Sequence, residues 1–194
     1  MKHHQLAEKF YRYDCPGKHA IVFVQNNNPT RGACYTILER AGCLIHDELS
    51  RLPDSEKSML PNDFVPPVFT ISLLSEMDSA AVNWRGLRTR RDRAFPLRIP
   101  LCPTRPGSAC IWRSIGGSVW DVVVCSDLAA REARKRSIPY REELVRYAIH
   151  GLLHLAGDSD DDADSAERLF RRQEALVETA LRRRPCRGGR MDNH

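Results

Sequence analysis

The chain of 194 residues has no run approaching the roughly 20 consecutive apolar residues that a membrane-spanning helix needs. Its opening, Met1-Lys2-His3-His4-Gln5, is not followed by the apolar core of a secretion signal. The expectation is a cytoplasmic protein with no membrane partner. The seven cysteines, at 15, 34, 43, 102, 110, 125 and 186, include no C-x-x-C pair and are odd in number. That scatter argues against a cysteine-built zinc site and predicts free thiols, several of them filling the core. Internal repeats are absent as well, which sets aside solenoids and propellers.

What is present is length enough for one domain with a sizeable core. The formal net charge of +5 is unevenly spread. Eight arginines and one acid, Asp92, lie between Trp84 and Arg113. Arg182, Arg183, Arg184, Arg187 and Arg190 crowd the C-terminal tail, and an acidic cluster runs from Asp158 to Glu167. Arginine-rich surface beside an acidic pocket suits a polyanionic substrate cut at a cation site, although plain solvation accounts for the same arginines.

Ala20–Gln25, Val68–Leu74 and Val119–Cys125 read as strands, the last apolar enough for burial on both faces. Phe95–Leu101, with its two prolines, reads as an edge strand. Residues 33–52, 75–84, 128–136 and 140–156 carry helical spacing, and a last helix starts near Asp164 with Ala166, Leu169, Phe170 and Leu176 as its apolar stripe. Pro53 to Pro67 reads as a polar loop. The sum is an α/β (α+β) single domain, a mixed sheet of about four strands packed with about five helices. Its expected limits are a lead-in over 1–19, the functional domain over 20–181 and a basic, disordered tail over 182–194.

One stretch concentrates chemistry: His150-Gly151-Leu152-Leu153-His154-Leu155-Ala156-Gly157-Asp158-Ser159-Asp160. On a helix, positions i and i+4 share a face, so both imidazoles point one way. Gly157 can take the left-handed conformation that ends the helix and returns Asp160 to the same point. Two imidazoles and a carboxylate make a three-ligand metal site with a position left for water. Asp158 and Asp162 are alternative third arms. The plainer reading is a buried helix that carries two histidines. A thermolysin-type H-E-x-x-H protease is disfavoured, because Gly151 stands where the glutamate base belongs.

The same stretch resembles the bacterial YbeY family of single-domain rRNA-processing endoribonucleases, whose motif is H-G-x-L-H-L-x-G-Y/F-D-H. The match runs through Gly157. Asp121-Val122-Val123-Val124-Cys125 resembles the family's G-D-I-V-I strand, and Asp164-Ser165-Ala166-Glu167 its D-x-A-E run. Arg85-Gly86 and Phe95-Pro96 resemble its N-x-x-Y-R-G and L-S-F-P segments. The family's third histidine ligand becomes Asp160 here, and Arg90 to Ala94 replace most of its T-D-V-L-S-F-P segment.

The resemblance implies a zinc-dependent, single-strand-specific endoribonuclease in rRNA maturation, at the 16S rRNA 3′ end, and in ribosome quality control. His150, His154 and Asp160 would hold one Zn²⁺. The carboxylate shifts preference towards Mn²⁺ or Mg²⁺. His150, His154 and Arg85 would be the catalytic residues, Arg85 neutralising charge on the phosphate. Asp121 is expected as a structural or supporting residue, and Cys125 as core. The implied partners are rRNA, the small ribosomal subunit, a small-subunit ribosomal protein and an assembly GTPase. A non-catalytic assembly factor of the same fold, or an unrelated metal hydrolase using the same helix, are the competing readings.

Overall fold

Val22 and Val24 are fully buried in strand β2 (Ile21–Asn26), while the residues between and beside them are only half-buried. That period of two marks a strand with one well-covered face. Phe69, Ile71 and Leu73 repeat it in β3 (Val68–Leu74). In β5 (Val119–Cys125), Trp120, Asp121, Val122, Val124 and Cys125 are all buried, so this strand is covered on both faces, as its apolar run predicts. The computed structural model describes residues 10–14, 21–57, 60, 68–79, 110–115 and 119–182, with the strands at 10–14 and 110–115 described by their backbone.

Among the described residues the sheet has five strands in the order β1-β2-β3-β5-β4. β2, β3 and β5 run parallel, with Val24, Ile71 and Val122 in register across them. β1 (Phe10–Asp14) and β4 (Cys110–Ile115) flank them as antiparallel edges. The expected α/β class and mixed sheet hold, but the expectation of about four strands falls one short. β1 begins inside the expected lead-in. β4 precedes Gly116-Gly117, and glycines between two runs of alternating residues are themselves a hairpin signal. The expected edge strand at Phe95–Leu101 lies outside the described residues.

Among the described residues the helices are α1 (Tyr35–Ser50), α2 (Asp54–Lys57), α3 (Ser126–Arg136), α4 (Tyr140–Leu155) and α5 (Ala163–Arg182), with a further turn at 76–79. α2 interrupts what the prolines present as an unbroken loop. The turn at 76–79 opens on Ser75, whose Oγ accepts the Asp78 N–H at 3.1 Å. No described helix is long and apolar enough to cross a membrane.

α1 packs on β2 through Gly42, where an added Cβ would stand 2.8 Å from Val22 Cγ2. The glycine therefore sets how closely helix and sheet approach. One residue on, Cys43 is disulfide-bonded, whereas Cys34 and Cys125 are free thiols. The expectation of free thiols throughout is corrected at that position, because folding pairs cysteines that sequence spacing does not mark as a pair.

α4 is the central helix. It contacts β4, β5, α1, α3 and α5, and its Leu144, Val145, Ala148, Ile149, Leu152 and Leu155 are buried as expected. α5 lies across α4 and α1, and here the expected stripe is rotated. Its inward row is Ser165, Leu169, Gln173, Val177 and Ala180, while Phe170 is 57% exposed. The row admits polar residues because part of it faces the histidine pair rather than aliphatic core.

Candidate metal centre

The last two turns of α4 and the turn that follows supply the site. α4 ends in two nested bonds: Asp158 N–H donates to Leu153 O at 3.0 Å and Gly157 N–H to His154 O at 3.0 Å. This pair is a Schellman termination, and it requires the left-handed conformation that Gly157 adopts at φ 98°. The sharp reversal carries Asp160 back over the end of the helix.

There the described residues bring His150, His154 and Asp160 together, with one ligand atom from each lying within 4.8 Å of the others. His150 Nε2 and His154 Nε2 are 3.0 Å apart, and the rings meet edge to face at 89°. Asp160 Oδ1 lies 3.9 Å from His154 Nε2. Both distances suit donor atoms that share one small ion.

The outer nitrogens are already committed. His154 Nδ1 is 3.0 Å from the carbonyl oxygen of Asp158, which can only accept, so Nδ1 carries the hydrogen. His150 Nδ1 is 3.0 Å from Gln173 Oε1, again an acceptor. In the neutral form both imidazoles thus turn an Nε2 lone pair towards the centre. Burial, reinforced by neighbouring His154, pushes His150 down to about 4, so it is neutral at physiological pH. Two facing lone pairs call for a shared cation, and a neutral, lone-pair-presenting imidazole is the form that binds a metal. The donor set fits a small divalent ion, with two nitrogens and one carboxylate oxygen.

The alternative third arms are otherwise employed. Asp158 Oδ2 accepts from Arg172 at 2.5 Å, and Arg172 also donates to Glu48 at 2.7 Å. That tie binds the turn to α5 and α1. Asp162 caps α5: its Oδ1 accepts the Ser165 N–H at 2.8 Å, and Ser165 Oγ accepts the Asp162 N–H at 3.2 Å. The Ser165 N–H bond holds the Asp162 carboxyl below the usual carboxylate range. Arg85 lies outside the described residues. Asp121 is buried mid-strand in β5, in register with Thr70 and Arg113, and Cys125 is buried at its end.

Gln173, Arg172 and Glu48 are the neighbours that motif reasoning did not find. Their distance in sequence hides them. The one available signal is a glutamine spaced four residues from Leu169 and from Val177 on an otherwise apolar row.

Comparison with known proteins bears on the same region. Residues 103–180 match the family model described as Endoribonuclease YbeY. A protein of that name from Anaeromyxobacter sp. is 37% identical over 122 residues, 58% of this chain and 57% of that protein. Another, from Halorhodospira halophila, is 34% identical over 100 residues, 52% of this chain and 62% of its own length. The chain therefore spans about three-fifths of these relatives. A solution structure of a Thermotoga maritima protein aligns with a TM-score of 0.44 at 18% identity, covering 78% of this chain and 85% of that one.

Proposed function

Because residues 103–180 match the family model described as Endoribonuclease YbeY, we propose that the chain is a member of that family and a metal-dependent endoribonuclease acting in rRNA maturation, with zinc as the resident ion. The observation that carries this reading is the pair of Nε2 atoms 3.0 Å apart, with both Nδ1 atoms held by acceptors. His150, His154 and Asp160 would hold the ion, and Mn²⁺ or Mg²⁺ could replace zinc because one ligand is a hard carboxylate. Bound there, the cation supplies Lewis-acid polarisation of a phosphate oxygen and acidification of water.

The residues of the chain do the rest. Arg85, by resemblance, would neutralise charge developing on the phosphate. The partners proposed are rRNA and the small ribosomal subunit, with a small-subunit ribosomal protein and an assembly GTPase as further candidates. The 16S rRNA 3′ end is the proposed processing site, and the cytoplasm the proposed location. Asp160 in the third position favours one second reading, a non-catalytic assembly factor that binds rRNA through the same fold.

Cleavage of a structured RNA by purified protein separates the two. The nuclease reading predicts that wild type cuts with added Zn²⁺ or Mn²⁺ and that His154→Ala does not. Equal residual cutting by both proteins would trace the activity to contamination and contradict the nuclease. RNA binding without cutting would favour the assembly factor.

A further inference from the structure

We infer that Gln173 is a positioning residue for the metal, its side-chain amide fixing the imidazole of His150 so that Nε2 faces the centre. The inference rests on the reading of His150, His154 and Asp160 as a metal site, and extends it to a chain of contacts running from α5 back to the start of α4.

The chain begins with Arg146, nine-tenths buried, on the same helix as the histidines. Its guanidinium grips Glu174 with two parallel bonds, Nε to Oε1 at 2.8 Å and Nη2 to Oε2 at 3.0 Å. The same guanidinium donates to Glu143 at 2.6 Å and to Glu142 at 3.0 Å, which anchors it in the first turn of α4. Fork-to-fork pairing of this kind fixes the plane of the carboxylate as well as its position. Glu174 Oε1 then accepts from Gln173 Nε2 at 2.9 Å.

That last contact removes an ambiguity. An ionised carboxylate only accepts, so the amide nitrogen of Gln173 must face Glu174 and the amide oxygen must face His150. An oxygen in turn obliges Nδ1 of His150 to be the donor, across 3.0 Å. The tautomer that results leaves the Nε2 lone pair for the ion. With Gln173 6% exposed, water has little access to substitute for the amide. Outer partners of this kind set ring orientation and raise ligand basicity, and their loss typically weakens metal binding by about ten- to a hundredfold.

The test is zinc affinity of the full chain, measured by competition with a chromophoric chelator, alongside thermal melting of the metal-free proteins. Gln173→Met keeps the length and removes the acceptor, and should bind zinc about ten- to a hundredfold more weakly. Gln173→Glu combined with Glu174→Gln restores an acceptor to Nδ1 while keeping a donor between the two neighbours, and should recover most of the lost affinity. Glu174→Gln frees the amide to flip and should also weaken binding. Wild-type affinity in a folded Gln173→Met would overturn the inference. So would a Gln173→Glu/Glu174→Gln pair as weak as the methionine variant. Should Gln173→Met fail to fold, unchanged affinity in Glu174→Gln would overturn it instead. Failure of wild type itself to bind zinc is a separate result, and strikes the metal reading on which the inference stands.

Discussion

Asp160 is the residue on which the proposed chemistry turns. Its Oδ1 is the third donor beside two imidazole nitrogens, whereas Asp158 is tied to Arg172 and Asp162 to the cap of α5. Asp160→Ala is expected to lower zinc affinity at least tenfold, and Asp160→His to keep or tighten it, both read by chelator competition. Glu39 makes a different prediction. It is 3% exposed on α1, and burial pushes its carboxyl up to about 7 from 4.5. A raised carboxyl holds its proton in the folded state while the unfolded chain has released it. Its stabilising contribution is therefore complete below about pH 4.5 and declines as pH rises towards 7. Glu39→Gln should stabilise the protein at pH 8 by up to about 3 kcal/mol and flatten that decline, in urea titrations run as a difference from wild type. His150, lowered to about 4, acts in the opposite sense in the metal-free protein, and the difference removes it. At this scale the histidines were legible because four-residue spacing on a helix is local. Gln173 was not, because 23 residues separate it from His150 and only packing of α5 on α4 brings the two together.

Two elements depend on a glycine for opposite reasons. Gly157 sits at φ 98°, and a Cβ added there would meet nothing within 4 Å, so replacing it strains backbone alone. Gly157→Ala should cost about 1–2 kcal/mol of stability and weaken metal binding as the turn shifts Asp160. Gly42 is helical and crowded, its would-be Cβ 2.8 Å and 3.0 Å from the two methyls of Val22. Gly42→Ala gains about 1 kcal/mol of helix propensity but overpacks the α1–β2 contact, at about 1–3 kcal/mol. The net effect on thermal melting should be destabilising, and Val22→Ala should couple favourably with it in a double-mutant cycle. The interior elements were legible because burial imposes a period on their sequence. α4 shows this in its row from Leu144 to Leu155, and β5 in its continuous apolar run. Among the described residues the edge strands β1 and β4 pair along one side only, and Phe-Tyr-Arg-Tyr-Asp and Cys-Ile-Trp-Arg-Ser-Ile mix charge into short alternating runs. α5 misled for a related reason. Its largest apolar residue, Phe170, faces outward, while Ser165 and Gln173 turn in to cap a helix and hold a histidine.

Across the whole molecule, charge and site belong to one argument. Arginines dominate residues 85–113 and the tail beyond Arg182, and the acids gather at the turn after α4. If the tail binds phosphates, deleting residues 182–194 should weaken RNA binding and reduce the slope of log affinity against log salt by about one for each phosphate released. An unchanged slope would return those arginines to simple solvation. Whether α4 and its terminating turn hold a divalent ion is decided by zinc stoichiometry and affinity in wild type and His150→Ala/His154→Ala. Near one tightly held zinc per wild-type chain is expected, with loss of tight binding in the double variant. A wild-type protein that folds fully without taking up zinc, manganese or magnesium, or a double variant that still holds zinc as tightly, would contradict the metal reading.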